Sequence, residues 1–141
     1  MILFDTSVLI DARDPDSPWH DWAKELIASA VGGEGAVANT VTISEASVRA
    51  VNPDAVPRLL ERFGMTLQNL PVSAAVPAAK AFRVYLDRLK REGKKLESKV
   101  PLPDFLIGAH AQSEGLHLAT RDPDRVRTYF PGVKLITPIG L

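Results

Sequence analysis

The feature that most constrains this chain is a buried-strand pattern at its start, followed at once by an ionisable residue. Ile2–Phe4 is a short continuous apolar run, which is typical of a strand buried on both faces of a parallel sheet. Asp5 comes directly after it, before Thr6 and Ser7, which both favour the N-cap position of a helix. A carboxylate at the end of a buried strand costs free energy unless a partner compensates its charge. Because ligands of parallel α/β sheets bind at the carboxyl ends of the strands, we expect Asp5 to belong to a site.

The rest of the sequence alternates between strand and helix patterns. Further strands are predicted at 36–39, 66–72, 116–120 and 133–137, with helices between them. A long helix is predicted over 73–93, and its expected buried face consists of Val76, Ala79, Phe82, Leu86 and Leu89. The predicted fold class is α/β, a three-layer α/β/α sandwich with a mostly parallel five-stranded sheet. We expect one domain over residues 1–141, because no repeat or linker divides the chain.

Composition excludes several classes of protein. The 17 basic and 17 acidic side chains cancel, so a nucleic-acid partner would have to be held by a local patch rather than by a global field. The chain has no cysteine, which excludes disulfides, zinc–thiolate sites and thiol catalysis. The predicted strand at residue 2 leaves no room for a signal peptide, and no apolar run approaches the roughly 18 residues of a membrane span. We therefore expect a cytoplasmic protein without a membrane partner.

Two basic features have alternative interpretations. The segment 90–99, KREGKKLESK, contains five Lys or Arg residues against two Glu. It is either a solvated loop or a guide for a phosphate backbone. Arg121 either holds a phosphate of a substrate or offsets neighbouring acids.

Four acidic residues are expected at one edge of the sheet. Asp5 and Asp122 follow strands, Glu45 lies just past the second strand, and Asp104 begins the helix that leads back to the fourth. Helix N-termini lie at the carboxyl edge of the strands in right-handed βαβ units, so the four carboxylates meet there. Any one of them alone is more simply explained as a helix cap. Together they form a site of hard oxygen ligands suited to Mg²⁺ or Mn²⁺, whose chemistry is the attack of water on a phosphodiester.

These motifs carry a family resemblance. FDTSVLID, ISEAS, PDFLIGAHA, LATRDPDR and VKLITP occur in an order and spacing that resemble PIN-domain ribonucleases of the VapC toxin type, over essentially the whole chain. The resemblance implies a PIN-like fold and an endoribonuclease that cuts structured RNA such as tRNA or rRNA. It also implies a homodimer and a cognate VapB-type antitoxin whose C-terminal segment covers the site.

The resemblance also implies roles for individual residues. The acids that it assigns to catalysis and to binding Mg²⁺ or Mn²⁺ are Asp5, Glu45, Asp104 and Asp122. The hydroxyls of Thr6 or Ser7 and of Thr120 would orient the carboxylates. The fourth acid is the most variable in the family, and Asp124 lies close enough in sequence to replace Asp122.

Other residues and functions were weighed against this hypothesis. His20, His110 and His117 have no metal-ligand spacing, and we expect structural or surface roles for them. A phosphotransfer protein of the dehalogenase or receiver type is disfavoured, since the first kind needs an acid at position 7 and the second a Lys after the last strand. A non-catalytic module that binds RNA or protein remains the alternative. Trp19, Trp22 and the apolar run around Val56, Leu59 and Leu60 are expected to be core rather than docking surfaces.

Overall fold

The computed structural model describes residues 1–96 and 101–138, which form a five-stranded sheet and seven α-helices. The strands are β1 (Ile2–Phe4), β2 (Ala36–Asn39), β3 (Thr66–Gln68), β4 (His117–Ala119) and β5 (Leu135–Ile136). The helices are α1 (Thr6–Arg13), α2 (His20–Gly32), α3 (Thr40–Val48), α4 (Val56–Arg62), α5 (Val72–Arg91), α6 (Leu102–Glu114) and α7 (Pro123–Tyr129). A 3₁₀ turn at Pro53–Ala55 leads into α4.

The sheet has the order β3-β2-β1-β4-β5, and every neighbouring pair is parallel. Parallel neighbours require crossover connections, which the helices supply. Strand β1 is central, and the chain builds outward from it first on one side and then on the other. This reversal makes the crevice between β1 and β4 the position where α/β sheets bind ligands. The predicted fold class is confirmed.

Successive side chains of β1 point to opposite faces of the sheet, and each face packs against its own hydrophobic core. Leu3 faces a cluster formed with α5 and α6, which includes Phe105 and Ile107. Ile2 and Phe4 face the opposite cluster, formed with the helices α1 to α4. All three β1 side chains are less than 5% exposed, as the continuous apolar run predicts for a central strand.

The predicted buried face of α5 is wrong for Val76, Ala79 and Leu86 and is confirmed only for Phe82 and Leu89. The side chains that pack inward are Ala74, Ala78 and Tyr85, with Phe82 and Leu89 half-buried, whereas Val76, Ala79 and Leu86 are exposed. The aromatic ring of Phe105 on α6 explains the difference. Its centroid lies 5.3 Å from that of Phe82 and 5.5 Å from that of Tyr85. These aromatic contacts and the small alanines set the rotation of the helix, although valine and leucine are more hydrophobic.

Several element boundaries also differ from prediction. Strand β3 ends at Gln68 rather than at residue 72, since the pairing with β2 ends there and α5 begins after Pro71. Helix α3 begins at Thr40, directly after β2, because Asn39 caps it. Lys134, expected inside the last strand, lies just before β5. Residues 97–99 of the basic segment 90–99 lie outside the described residues. The same is true of residues 97–100 and 139–141 of the predicted domain 1–141.

Of the apolar residues expected in the core, Val56 and Leu60 belong to the cluster formed with α1 to α4, and Trp22 packs against it. Val56 and Leu60 are buried, while Leu59, Trp19 and Trp22 are half-buried. Among the described residues, no helix is both long enough and apolar enough to cross a lipid bilayer.

Candidate active site

Asp5 is fixed in place by hydrogen bonds from three directions. It occupies the N-cap of α1, where Thr6 and Ser7 were the expected caps, and its Oδ1 accepts from the backbone N–H of Thr6 at 2.7 Å. Its Oδ2 accepts from the Oγ1 hydroxyl of Thr120 at 2.8 Å and from the Oγ hydroxyl of Ser7 at 3.3 Å. Thr120 is buried just past β4, the neighbour of β1 in the sheet. The crevice between the two strands therefore ends in a carboxylate of fixed orientation.

Glu45 reaches the same edge from α3. Asn39, the last residue of β2, accepts a hydrogen bond from the Thr42 backbone N–H at 2.9 Å, and the Thr42 hydroxyl lies 3.0 Å from the backbone nitrogen of Asn39. This capping box starts the helix at the carboxyl end of the strand and places Glu45 in its second turn. The Thr6 hydroxyl donates to Glu45 Oε1 at 2.7 Å. Thr6 thus contacts two acids, its N–H bonding Asp5 and its side chain bonding Glu45.

Asp104 lies in the first turn of α6 and has a basic partner. The Nη1 group of Arg125 on α7 lies 2.6 Å from Asp104 Oδ2. The Asp104 side chain is half-exposed, and the guanidinium also lies over the rings of Tyr85 and Phe105, at 5.4 and 5.7 Å from their centroids. One of the four acids is therefore paired with a cation of the chain itself.

The environment of Asp5 disfavours its charged form. Burial raises the pKa of Asp5 from 3.8 to about 6, and the negative charges of Asp104 and Glu45 act in the same direction. Hydrogen bonds from Thr120 and from the Thr6 backbone oppose the rise. Glu45 is joined to Asp5 through Thr6, and Asp104 lines the same cleft as Asp5. A cation beside the carboxylate would favour its ionised form.

The two candidates for the fourth acid are both exposed at the start of α7. Asp122 is the N-cap of the helix, and its backbone N–H donates to Thr120 Oγ1 at 3.0 Å. Thr120 therefore joins Asp122 to Asp5. The Asp124 side chain is almost fully exposed and lies 3.6 Å from Arg127 Nη1.

A cleft of about 460 Å³ is lined by three of the four predicted acids, Asp5, Asp104 and Asp122, whereas Glu45 contacts Thr6 and is not part of the lining. The polar lining of the cleft consists of Asp5, Asp104, Arg121, Asp122, Asp124 and Arg125. Within residues 1–96 and 101–138, no three acidic or histidine side chains are arranged closely enough to hold a metal ion. The donors nevertheless suit a hard divalent cation, since they are carboxylate and hydroxyl oxygens beside a carboxylate that is costly to ionise alone. The residues fit such an ion chemically, although one oxygen of Asp104 contacts Arg125 in this structure.

Arg121 contacts an acid that the sequence analysis did not select. Its Nε lies 2.7 Å from Oδ2 of Asp11, without the alignment of a hydrogen bond. Asp11 is only 4% exposed, and its Oδ1 accepts from the Ser17 hydroxyl at 2.9 Å. The sequence held a signal for Asp11, because an acid inside the apolar helix VLIDA requires a partner. No comparable signal marks Arg125 as the partner of Asp104.

The histidines have the structural roles that we predicted. His110 is fully buried, and its Nδ1 lies 3.0 Å from Nδ2 of Asn39, which ties α6 to the end of β2. His20 lies 2.9 Å from the backbone carbonyl of Asp11, and His117 lies 3.4 Å from Glu34.

Solved structures with the same fold were found by comparison. VapBC2 of Rickettsia felis, bound to a DNA fragment from its promoter, matches at 15% identity with a TM-score of 0.65, over 98% of this chain and 99% of that chain. FitAcB of Neisseria gonorrhoeae matches at 23% identity with a TM-score of 0.61, over 100% of both chains. VapC20 of Mycobacterium tuberculosis, a toxin that cleaves the sarcin–ricin loop, matches at 16% identity with a TM-score of 0.65, over 98% of this chain and 100% of that chain. No functionally curated relative matches the sequence.

The strands of this chain form a parallel sheet, and acidic side chains lie at the carboxyl ends of its central strands. The chain is therefore an α/β protein with an acidic site at the point where the strand order reverses. The PIN domain family model matches residues 2–131. The chain belongs to the PIN domain family.

Proposed function

We propose that this protein is a metal-dependent endoribonuclease and the toxin of a toxin–antitoxin pair, acting on structured RNA such as tRNA or rRNA. The observation that carries the proposal is the Asp5 carboxylate. It is half-buried at an open cleft and held by Thr120, Ser7 and the Thr6 backbone, and its pKa is raised chiefly by burial and further by the charges of Asp104 and Glu45. A purely structural N-cap does not need such an environment, since one backbone hydrogen bond suffices for capping.

The residues that would hold Mg²⁺ or Mn²⁺ are Asp5, Glu45, Asp104 and Asp122. When bound, such an ion supplies positive charge for a phosphodiester and favours deprotonation of water. Thr120 and Ser7 fix the Asp5 carboxylate, and Thr6 fixes Glu45. We assign the fourth position to Asp122 rather than Asp124, since Thr120 links Asp122 to Asp5 whereas the Asp124 side chain points almost wholly into solvent.

The partners follow from the same family resemblance. We propose that a VapB-type antitoxin inhibits the protein, that it forms a homodimer, and that it acts as one nuclease domain in the cytoplasm. The VapBC, FitAcB and VapC20 structures share its fold across nearly its whole length, which supports this part of the proposal.

The direct test is RNA cleavage by the purified chain with Mn²⁺ or Mg²⁺. We expect wild type to cut tRNA or rRNA only when the ion is present, and Asp5→Asn to lose at least about 100-fold in rate, as is usual when a group that stabilises a transition state is removed. Asp54→Asn is the matched control, because Asp54 is an exposed acid within the 3₁₀ turn and outside the cleft. Activity that survived Asp5→Asn would contradict the assignment.

One observation favours the alternative of a non-catalytic binding module. Arg125 neutralises Asp104, as expected if the acids serve only the structure. The two functions differ in their response to the metal. A module without catalysis would bind RNA or protein equally well in EDTA, and Mn²⁺ would leave its melting temperature unchanged.

A further inference from the structure

A second cleft adjoins the acidic one. It is a groove of about 410 Å³ between the C-terminal end of α5 and helix α7, referred to below as the α5–α7 groove. Asp124 and Arg125 line both the groove and the acidic cleft. An extended chain with one phosphate at the acidic cleft would therefore continue directly into the groove.

The groove concentrates positive charge in a chain whose net charge is zero. Four basic side chains line it, Arg88, Lys94, Lys95 and Arg125, against two acids. One of these acids, Glu92, is shared between Arg88 Nε and Lys94 Nζ, each 3.2 Å from a carboxylate oxygen. Because the positive charge is a local excess on one face, it can attract a polyanion without a global field.

The arrangement of the groove favours a sugar–phosphate backbone over a protein partner. Protein interfaces have an apolar core. No strongly exposed large apolar side chain lines this groove in the part of the chain that the structure describes. Its walls are instead long cationic side chains beside the half-buried ring of Tyr129, whereas the Tyr85 ring below them is buried in the core. Cationic side chains with neighbouring aromatic rings are typical of surfaces that bind single-stranded nucleic acid.

We propose that the α5–α7 groove binds the backbone of the RNA substrate on one side of the scissile phosphate, with Lys94 and Lys95 as phosphate contacts. This inference rests on the proposed function and adds a location for the substrate strand. The proposal also selects the second interpretation of the segment 90–99, a guide for a phosphate backbone, because Lys94 and Lys95 belong to that segment. Arg125 marks the boundary between the acidic cleft and the groove.

The test is RNA binding by an Asp5→Asn protein, which keeps cleavage out of the measurement. Lys94→Glu/Lys95→Glu is compared with Arg58→Glu/Arg62→Glu, which makes the same charge change at exposed positions on α4, across the sheet from the groove. We expect the groove variant to lose at least about 10-fold in affinity at 0.1 M salt, and its salt dependence to fall by roughly 1.4 in log–log slope, for two lost phosphate contacts. The α4 variant should stay within about 3-fold of the parent.

Two further measurements keep the outcomes distinct. Lys94→Gln/Lys95→Gln removes the charges without placing new acids beside Glu92, and it should show the same change in slope. In the active protein, both groove variants should raise KM and leave kcat unchanged. Equal losses in the groove and α4 variants, or no loss in either, would overturn the assignment while wild-type cleavage still supported the proposed function.

Two other results would also overturn it. If the wild-type protein neither bound nor cut RNA, the proposed function would fail and the groove assignment with it. If an acidic polypeptide bound the groove more tightly than RNA of equal charge, and the groove variants abolished that binding, the occupant would be a protein.

Discussion

Asp11 and Arg121 form an ion pair between helix α1 and the loop that follows β4, with 2.7 Å between Asp11 Oδ2 and Arg121 Nε. The backbone N–H of Arg121 also lies within 3.4 Å of the Ser7 hydroxyl. Arg121 directly precedes Asp122, so these contacts anchor the loop that carries the proposed fourth acid. The pair connects the stability of the fold to the position of a site residue.

Asp11→Asn should therefore destabilise the fold and weaken cleavage. The change leaves a partly buried guanidinium without its charge partner, and we expect a loss of about 1–3 kcal/mol in the free energy of unfolding, below the range for fully buried pairs. Urea denaturation measures it, with Asp54→Asn as the surface control. In a double-mutant cycle, Arg121→Gln should cost less in the Asp11→Asn protein than in wild type. Additive effects would show that the two residues are not coupled.

Asp5→Asn should stabilise the metal-free protein at neutral pH. The pKa of Asp5 is raised by folding from 3.8 to about 6, so the folded state holds the proton more tightly than the unfolded state. The stability contributed by the protonated form is complete below about pH 4 and is lost as the pH rises through about 6. In EDTA, the variant should exceed wild type by up to about 3 kcal/mol at pH 7 to 8 and match it below about pH 4. A difference that did not vary with pH would contradict this origin.

Arg125→Gln should strengthen metal binding. Arg125 forms a hydrogen bond with an oxygen of Asp104 that would also bind the proposed ion. Replacing Arg125 with Gln therefore removes a competitor for that oxygen and a positive charge that repels the ion. We expect Mn²⁺ to bind several-fold more tightly, as measured by the concentration dependence of the melting temperature. Arg127→Gln is the control, because Arg127 faces Asp124 on the outer side of α7. Weaker Mn²⁺ binding by Arg125→Gln than by the control would exclude competition.

Asp104→Asn should abolish cleavage while changing stability little. From the sequence, relief of repulsion among the acids suggests a gain in stability. The structure shows an opposing contribution to stability, since the variant also loses the ion pair with Arg125. This pair is partly exposed and contributes at most about 1 kcal/mol. Thermal melting without metal should place the variant within a few degrees of wild type, and a large loss would indicate that the pair is more important than its exposure suggests.

Gly108→Ala should destabilise the helix that carries Asp104. A Cβ atom at Gly108 would lie 2.6 Å from Cδ2 of the buried Phe130 ring, which must then move. We expect a net loss of about 1–3 kcal/mol, although alanine is the better helix former. Gly132→Ala is the control, because a Cβ there meets no atom within 4 Å. Equal urea midpoints for the two variants would show that the ring adapts.

The sequence by itself determined the sheet and the position of its acidic edge. The apolar run of β1 could only be central, and acids placed after parallel strands or at the start of the returning helices must meet at the carboxyl edge. Asp5, Glu45 and Asp104 could therefore be predicted from local pattern, whereas the roles of Thr6, Ser7 and Thr120 were implied only by the family resemblance. The sheet and the positions of these acids depend on chain direction and on side-chain alternation, which are local properties of the sequence.

Only the tertiary structure decided which groups pair at that edge. Arg125 contacts Asp104 across 21 positions of the chain, and Arg121 contacts Asp11 across a far longer separation. The rotation of α5 was likewise set by the Phe105 ring rather than by its own valines and leucines. Such choices depend on how helices from distant segments approach one another. The balance between close packing and the desolvation of each charge fixes that approach, and neither is encoded in local pattern.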